Sequence, residues 1–308
     1  MLAASTTAAA EEIPPYSTSE LRNGQITSAD FGLDDDAIYY QAGSIAKYAC
    51  TIALFRLQER GKLRLDRPVG QILPRFDGIP AGRPTLIDFL ANRSGFAGVL
   101  WDYLDESPNI LMSVSQTGEA LTKFAPSDLE HEPGTHYSYD LIGWVVVQAA
   151  IETASGQPLH KALDTLVFQP AGMSRSEVIF GQPELPVHKA SETGLEIPPY
   201  LACAGGLYST PADLIALQRF AHKGGISQTS LKELMIIRTP EENYALGGRF
   251  EERDGRLFDW KTGSNGAYKS LTIYDPERDI GFAAMAAQDD WTAIEQARDA
   301  WIAKTNSQ

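Results

Sequence analysis

The chain has 308 residues, enough to bury a large core in one domain or in two closely joined ones. Hydrophobic residues make up 43% and charged residues 21%, which excludes a disordered or fibrous protein, and a net charge of -14 with a pI near 4.8 excludes a phosphate-backbone partner such as nucleic acid. No run reaches the roughly 20 apolar residues of a membrane-spanning helix; the closest, Leu141 to Ile151, is interrupted by Gln148 and reads as a buried helix.

Met1 to Ala10 is rich in Ala, Ser and Thr but lacks a basic n-region and a continuous apolar h-region, so it is not an intact signal peptide. As the scar of one it would place the protein in a periplasm or outside the cell, with a cytoplasmic site as the alternative. Pro14-Pro15, an Asn23-Gly24 turn and the extended run Gln25 to Phe31 predict a short hairpin, followed by a polar loop at Asp34-Asp35-Asp36. Next comes Gly43-Ser44-Ile45-Ala46-Lys47, at the mouth of the apolar run Tyr48 to Leu57, which predicts a helix stopped near Gly61. From Pro68 to about Gly205 helical stretches dominate: Thr85 to Asn92, Gly118 to Phe124, Leu141 to Thr153 and Pro158 to Val167, joined by loops such as Pro133-Gly134. A helix from Pro211 to His222, with Thr210 as its cap, and a short one near Leu231 follow. Strands are then predicted at Tyr244 to Glu251, Arg256 to Lys261, Ala267 to Tyr274 and Ile280 to Ala287, around turns at Asp254-Gly255 and Pro276. Ile294, Ala297 and Trp301 share one face of a last helix, Trp291 to Ala303, which needs a sheet to cover it. Cys50 and Cys203 show no metal spacing and no disulfide framework, and both read as small core residues.

Read as a helix start, the Ser44 segment puts a hydroxyl in the first turn and the Lys47 amine one turn on, on the same face. A serine hydroxyl becomes a good nucleophile only when a nearby base takes its proton, and a lysine serves if burial and positive neighbours lower its pKa. The unpaired N–H groups and dipole of a helix start favour negative charge there, as an oxyanion requires. S-x-x-K alone is common, and taken by itself a capping serine with a surface lysine is the better account of it. Two further stretches give it weight: the aromatic-rich loop Pro133-Gly134-Thr135-His136-Tyr137-Ser138-Tyr139-Asp140-Leu141, and Trp260-Lys261-Thr262-Gly263-Ser264 at the end of a predicted strand.

With these residues the chain resembles the class C β-lactamase, D-alanyl-D-alanine carboxypeptidase and family VIII carboxylesterase group of serine hydrolases, in which S-x-x-K is followed by K-T-G. The resemblance covers nearly the whole chain. Leu57 to Val69 is similar to the segment after that group's nucleophile helix, Leu86 to Gly95 to its "LLTHTSG" stretch, and Ala204-Gly205-Gly206-Leu207-Tyr208-Ser209-Thr210 to its "AGGLxST". Lys261 to Gly266, running into Tyr274-Asp275-Pro276, resembles its last active-site strand and hairpin.

The resemblance implies an α/β fold, an antiparallel sheet flanked by helices plus an all-helical subdomain, with 14–66 and 206–308 forming the α/β part and 67–205 the helical part. It implies that Ser44 is the nucleophile and Lys47 its partner base, with Tyr139 as second base. Tyr137 competes for the last role because Tyr137-Ser138 matches "YS", but anchoring on Pro133-Gly134 and Gly143 favours Tyr139. Lys261 is expected to lower the pKa of Tyr139 by its charge and to pair with a substrate carboxylate, and the backbone N–H groups of Ser44 and Ser264 to form the oxyanion hole. Thr262, Gly263, Leu141 and Trp101, the last in a 97–106 loop at the lip of the cleft, are expected at the substrate. Leu141 departs from the group's amide-binding Asn, which weakens peptide and lactam recognition, so small short-acyl esters are the favoured substrates over lactams or D-peptides. A β-lactam sensor that acylates once without turnover is the alternative of another class. Neither a metal nor an organic cofactor is required. His131-Glu132-Pro133-Gly134-Thr135-His136 has its second His one place late for a zinc helix and a Pro-Gly that breaks helix, so it reads as a loop. No G-x-S-x-G occurs, and His160, His188 and His222 read as surface or packing residues.

Overall fold

The computed structural model describes residues 15–306 apart from 34–36, 99, 180–184, 191–195 and 254. The expectations for Met1 to Ala10, for Pro14, for the Asp34 to Asp36 loop and for Asp254 fall outside the described residues. The first hairpin forms as expected: β1 (Tyr16–Arg22) and β2 (Gln25–Phe31) meet across Asn23 and Gly24, whose φ values of 52° and 75° are those of a tight hairpin turn with two left-handed residues. After the two-residue β3 (Tyr40–Gln41), a 3₁₀ turn at Gly43–Ile45 leads into α1 (Ala46–Glu59). Nearly every face of α1 is buried, and Gly61, with φ 68°, ends it.

The helical part follows with α2 (Leu86–Leu90), held by a capping box between Thr85 and Asp88, then α3 (Leu100–Glu106), α4 (Pro108–Met112), α5 (Thr117–Phe124), α6 (Ile142–Ser155), α7 (Leu159–Leu163) and α8 (Gln169–Ala171). The segment expected as a loop around Trp101 is helical in α3. Two short strands, β4 (Glu177–Val178) and β5 (Leu207–Ser209), flank α9 (Ala202–Gly205) and join β3 in a small sheet of order β3-β5-β4. Strands of two or three residues carry no periodicity, so sequence patterning does not reveal this sheet. Thr210 accepts from the Asp213 N–H to start α10 (Pro211–Phe220), and α11 (Gln228–Leu234) follows.

The last third supplies β6 (Arg249–Arg253), β7 (Arg256–Asn265), β8 (Tyr268–Asp275), β9 (Ile280–Ala286) and α12 (Thr292–Asn306). The main sheet has the order β2-β1-β9-β8-β7-β6, antiparallel at every pairing. One face packs on α10 and the core around α1; the other packs Phe258, Ile273 and Phe282 against Ile294 and Trp301 of α12. Thus the α/β architecture with a helical part is as expected. Two boundaries differ. β6 begins at Arg249 rather than Tyr244, because Gly247 (φ 69°) turns the chain against α1, where a Cβ would lie 2.1 Å from Thr51 Oγ1. β7 continues through Asn265, so the K-T-G-S run lies inside a strand.

The cysteines are a correction. Cys50 of α1 and Cys203 of α9 form a disulfide across 153 positions of sequence. Two cysteines so far apart give no spacing signal; only the packing of α9 on α1 brings them together.

Candidate active site

Ser44 occupies the 3₁₀ turn that opens α1, and two glycines fix how closely that turn approaches β7. Gly43 has φ 54°, and a Cβ on it would lie 2.5 Å from the Ser264 nitrogen; one on Gly263 would lie 2.0 Å from the Ala42 carbonyl oxygen and 2.9 Å from the Ser44 nitrogen. The backbones of 42–44 and 263–264 therefore meet with no side chain between them. Ser44 and Ser264 both line a small cavity of about 80 Å³, with Trp101, Leu104, Leu141, Ile197, Pro198, Leu201 and Asn265 among its walls and Glu196 at its rim. Lys269, directly opposite Ser264 on β8, donates to Ser264 Oγ at 2.9 Å and to the Gly266 carbonyl at 2.6 Å, which pins the hairpin end of this wall. Sequence reading missed Lys269 and Asn265; the pairing register carries the only signal for either.

Around the hydroxyl, Tyr139 Oη donates to Ser44 Oγ at 2.8 Å and Lys47 Nζ donates to the same oxygen at 3.3 Å. Lys47 is 1% exposed, also donates to the Ala204 carbonyl, and lies 4.9 Å from the Tyr139 ring centroid and 5.5 Å from that of Trp144. Burial alone would push the Tyr139 hydroxyl up, but the Lys47 charge, hydrogen bonding with Ser44 and Lys47, and the Arg249 charge together hold it below its ordinary value. Tyr137 is different. Its ring packs on Tyr244, 5.5 Å between centroids, and burial pushes its hydroxyl up to about 12. Next door, burial raises the Asp140 carboxyl to about 7 against the N–H of Gly143, which donates to it at 2.5 Å, and the Lys47 charge.

The structure brings Ser44, Lys47, Tyr139, Ser264, Leu141 and Trp101 to one cavity and its floor. Trp101 is half exposed at the lip, its indole N–H donating to the Tyr139 carbonyl at 2.8 Å. Gly263 contributes by close approach alone, and Thr262 is not among the lining residues. Lys261 is a correction. Its ammonium pairs with buried Asp259 and donates to the Arg249 carbonyl at 3.0 Å, and the charges that lower the Tyr139 hydroxyl are those of Lys47 and Arg249. His222, read as a surface or packing residue, is buried against the rings of Phe250 and Tyr274 and also puts Nε2 3.0 Å from Asp259 Oδ2. His131 and His136 face each other with ring centroids 4.2 Å apart in a loop, and among the described residues no group of three or more His, Cys, Asp or Glu forms a metal site.

Known proteins share sequence and fold with this chain. Esterase EstB from Burkholderia gladioli is 32% identical over 185 residues, 52% of this chain and 45% of the esterase. Penicillin-binding protein 4 from Amycolatopsis lactamdurans is 28% identical over 144 residues, 44% of this chain and 35% of its own. The chain thus spans less than half the length of these relatives. Among solved structures, the D-stereospecific amidohydrolase from Streptomyces sp. shares the fold with a TM-score of 0.77 at 22% identity, covering 92% of this chain and 93% of that one. The profile of the Beta-lactamase family matches residues 24–307, and the chain belongs to that family.

Proposed function

We propose that the protein is a serine hydrolase that forms an acyl-enzyme on Ser44 and acts on small, short-acyl esters. The observation that carries the proposal is the 2.8 Å contact between Tyr139 Oη and Ser44 Oγ, with Lys47 Nζ at 3.3 Å. Tyr139 is the more acidic of the two loop tyrosines, and as phenolate it reverses that contact and takes the Ser44 proton while the Lys47 charge stabilises it. Lys47 keeps the pair in place, and Tyr139 then gives the proton it took to the leaving oxygen and becomes phenolate again. The developing oxyanion is held by the N–H groups of Ser44 and Ser264. Water then releases the acyl group.

The substrate preference rests on the cavity wall. Leu141, 6% exposed, offers no hydrogen bond to an amide side chain, and an amide left unpaired there costs about 1–3 kcal/mol. Short apolar acyl groups suit a small cavity walled by Leu104, Leu141, Ile197 and Leu201. A relative named as an esterase supports the same direction, and one named as a D-stereospecific amidohydrolase supports slower amide cleavage beside it. The disulfide supports an oxidising compartment, periplasmic or extracellular; no described helix is long and apolar enough to cross a membrane.

A panel of p-nitrophenyl acetate and butyrate, nitrocefin and a D-Ala-D-Ala peptide tests the reading. Continuous ester turnover with kcat/KM above that for nitrocefin is expected, lost in Ser44→Ala together with labelling by a fluorophosphonate. Residual turnover within tenfold of wild type in that variant places the nucleophile elsewhere. A stoichiometric burst with no steady state favours a sensor, and faster nitrocefin turnover favours a lactamase.

A further inference from the structure

Behind the Ser44 cavity lies a buried charge cluster that the mechanism above does not use. Asp259 and Lys261, two residues apart in β7, share one face of the strand and are buried. The Lys261 ammonium pairs with Asp259 Oδ1 and donates to the Arg249 carbonyl, and it sits between the rings of Tyr48 and Phe250, 4.3 and 4.4 Å from their centroids. The other Asp259 oxygen accepts from Tyr48 Oη at 2.8 Å and meets His222 Nε2 at 3.0 Å. Gln218 closes the cluster from α10, donating to the Asp259 carbonyl at 2.8 Å and accepting from Thr272 at 2.6 Å. Together Lys261 and His222 hold the Asp259 carboxyl at about 2 although burial opposes its charge, so it stays ionised.

The same strand face reaches the active site two residues later, at Gly263 against the Ser44 nitrogen. Two strand residues rise about 7 Å, a span that the four methylenes of a lysine cover. Lys261 is therefore within reach of a bound substrate and turned away from it. Moving its ammonium to a substrate would leave Asp259 Oδ1 without its ion-pair partner in the interior, with only Tyr48 and His222 on the other oxygen, whereas the ion pair gained at a cavity open to water is weak by comparison.

We propose that Asp259 is a specificity-determining residue: it holds Lys261 in the interior, keeps that ammonium from a carboxylate on the leaving side of the substrate, and so biases the site toward uncharged esters. Asp259 itself touches no substrate; it acts through Lys261. The proposal rests on acylation of Ser44 but not on which ester is natural.

The test uses two substrates that differ only in charge on the leaving side, 3-acetoxybenzoate and its methyl ester, and reads the ratio of their kcat/KM values. Asp259→Asn is expected to raise the anion-to-neutral ratio by tenfold or more, chiefly through a lower KM for the anion, and adding Lys261→Met is expected to abolish the rise. An unchanged ratio in Asp259→Asn, or a rise that persists without Lys261, overturns the proposal. If the single variant does not fold, the uncharged pair Asp259→Asn/Lys261→Met decides it: a ratio equal to wild type is expected, and a tenfold drop shows that Lys261 already serves anions in the native protein. If the wild type turns over neither ester, the Proposed function fails separately, and the same ratio is read from the rates at which a penicillin probe (anionic) and a fluorophosphonate (neutral) label Ser44.

Discussion

Two tyrosines two residues apart occupy opposite electrostatic situations. Tyr139 touches Ser44 Oγ and lies over the Lys47 charge, while Tyr137 is pushed up to about 12 and turns to Tyr244. Only a group that transfers the proton should matter to the chemical step, so Tyr139→Phe should lower kcat/KM for a short ester by about 10²–10⁴. Tyr137→Phe should stay within about tenfold, since it removes a hydroxyl from a packing ring. The sign of the pH response follows from the same residue. The basic form is the phenolate, and its pKa lies below the ordinary 10.0, so kcat/KM should rise with pH along a limb that ends below 10. That limb should vanish in Tyr139→Phe; its survival there would assign the titration to another group.

At the scale of elements, the site depends on how closely one 3₁₀ turn lies against one strand. A Cβ at Gly263 would sit 2.0 Å from the Ala42 carbonyl oxygen, backbone against backbone, so neither side can give without moving β7 from the Ser44 turn. Gly263→Ala should therefore separate the Ser44 and Ser264 N–H groups and cost about 10²–10³ in kcat, the usual loss of an oxyanion donor. Gly255→Ala is the control. It also replaces a glycine of positive φ, 74°, but in open space at a hairpin tip, so it should cost about 1 kcal/mol of stability and leave kcat unchanged. Equal kcat in the two variants would show that the glycines serve folding alone.

At the scale of the molecule, the Cys50–Cys203 disulfide joins the helix that carries Ser44 and Lys47 to the short helix whose Ala204 carbonyl holds the Lys47 ammonium. It closes a loop across 153 positions, and a native disulfide of that kind contributes about 2–5 kcal/mol. In a protein of this size Cys50→Ala/Cys203→Ala should lower Tm by several degrees. Calorimetry of the double variant and of the wild type reduced in denaturant and refolded should agree. An unchanged Tm in the double variant would remove the disulfide from the stability of the fold.

The candidate site residues were legible because each sits where local pattern and local structure coincide. Ser44 and Lys47 share a helical face by spacing alone, Gly61 ends a helix by its left-handed backbone and Thr210 starts one with its side-chain cap, and the hairpins follow turn residues that few sequences offer for another purpose. Family resemblance added the α/β architecture, because the motifs recur in order along the chain. What spacing could not convey was direction in space. Lys261 stands in the expected motif, yet the partner two residues before it and a histidine from another helix decide where its ammonium points. Cys50 and Cys203 carry no mark of each other in one dimension, and the three short strands of the second sheet are too brief for a period to show. Sequence alone determined which groups this protein possesses and which elements present them; only tertiary packing decided which of those groups meet, because side-chain contacts between distant segments are set by how helices and strands pack and not by their order.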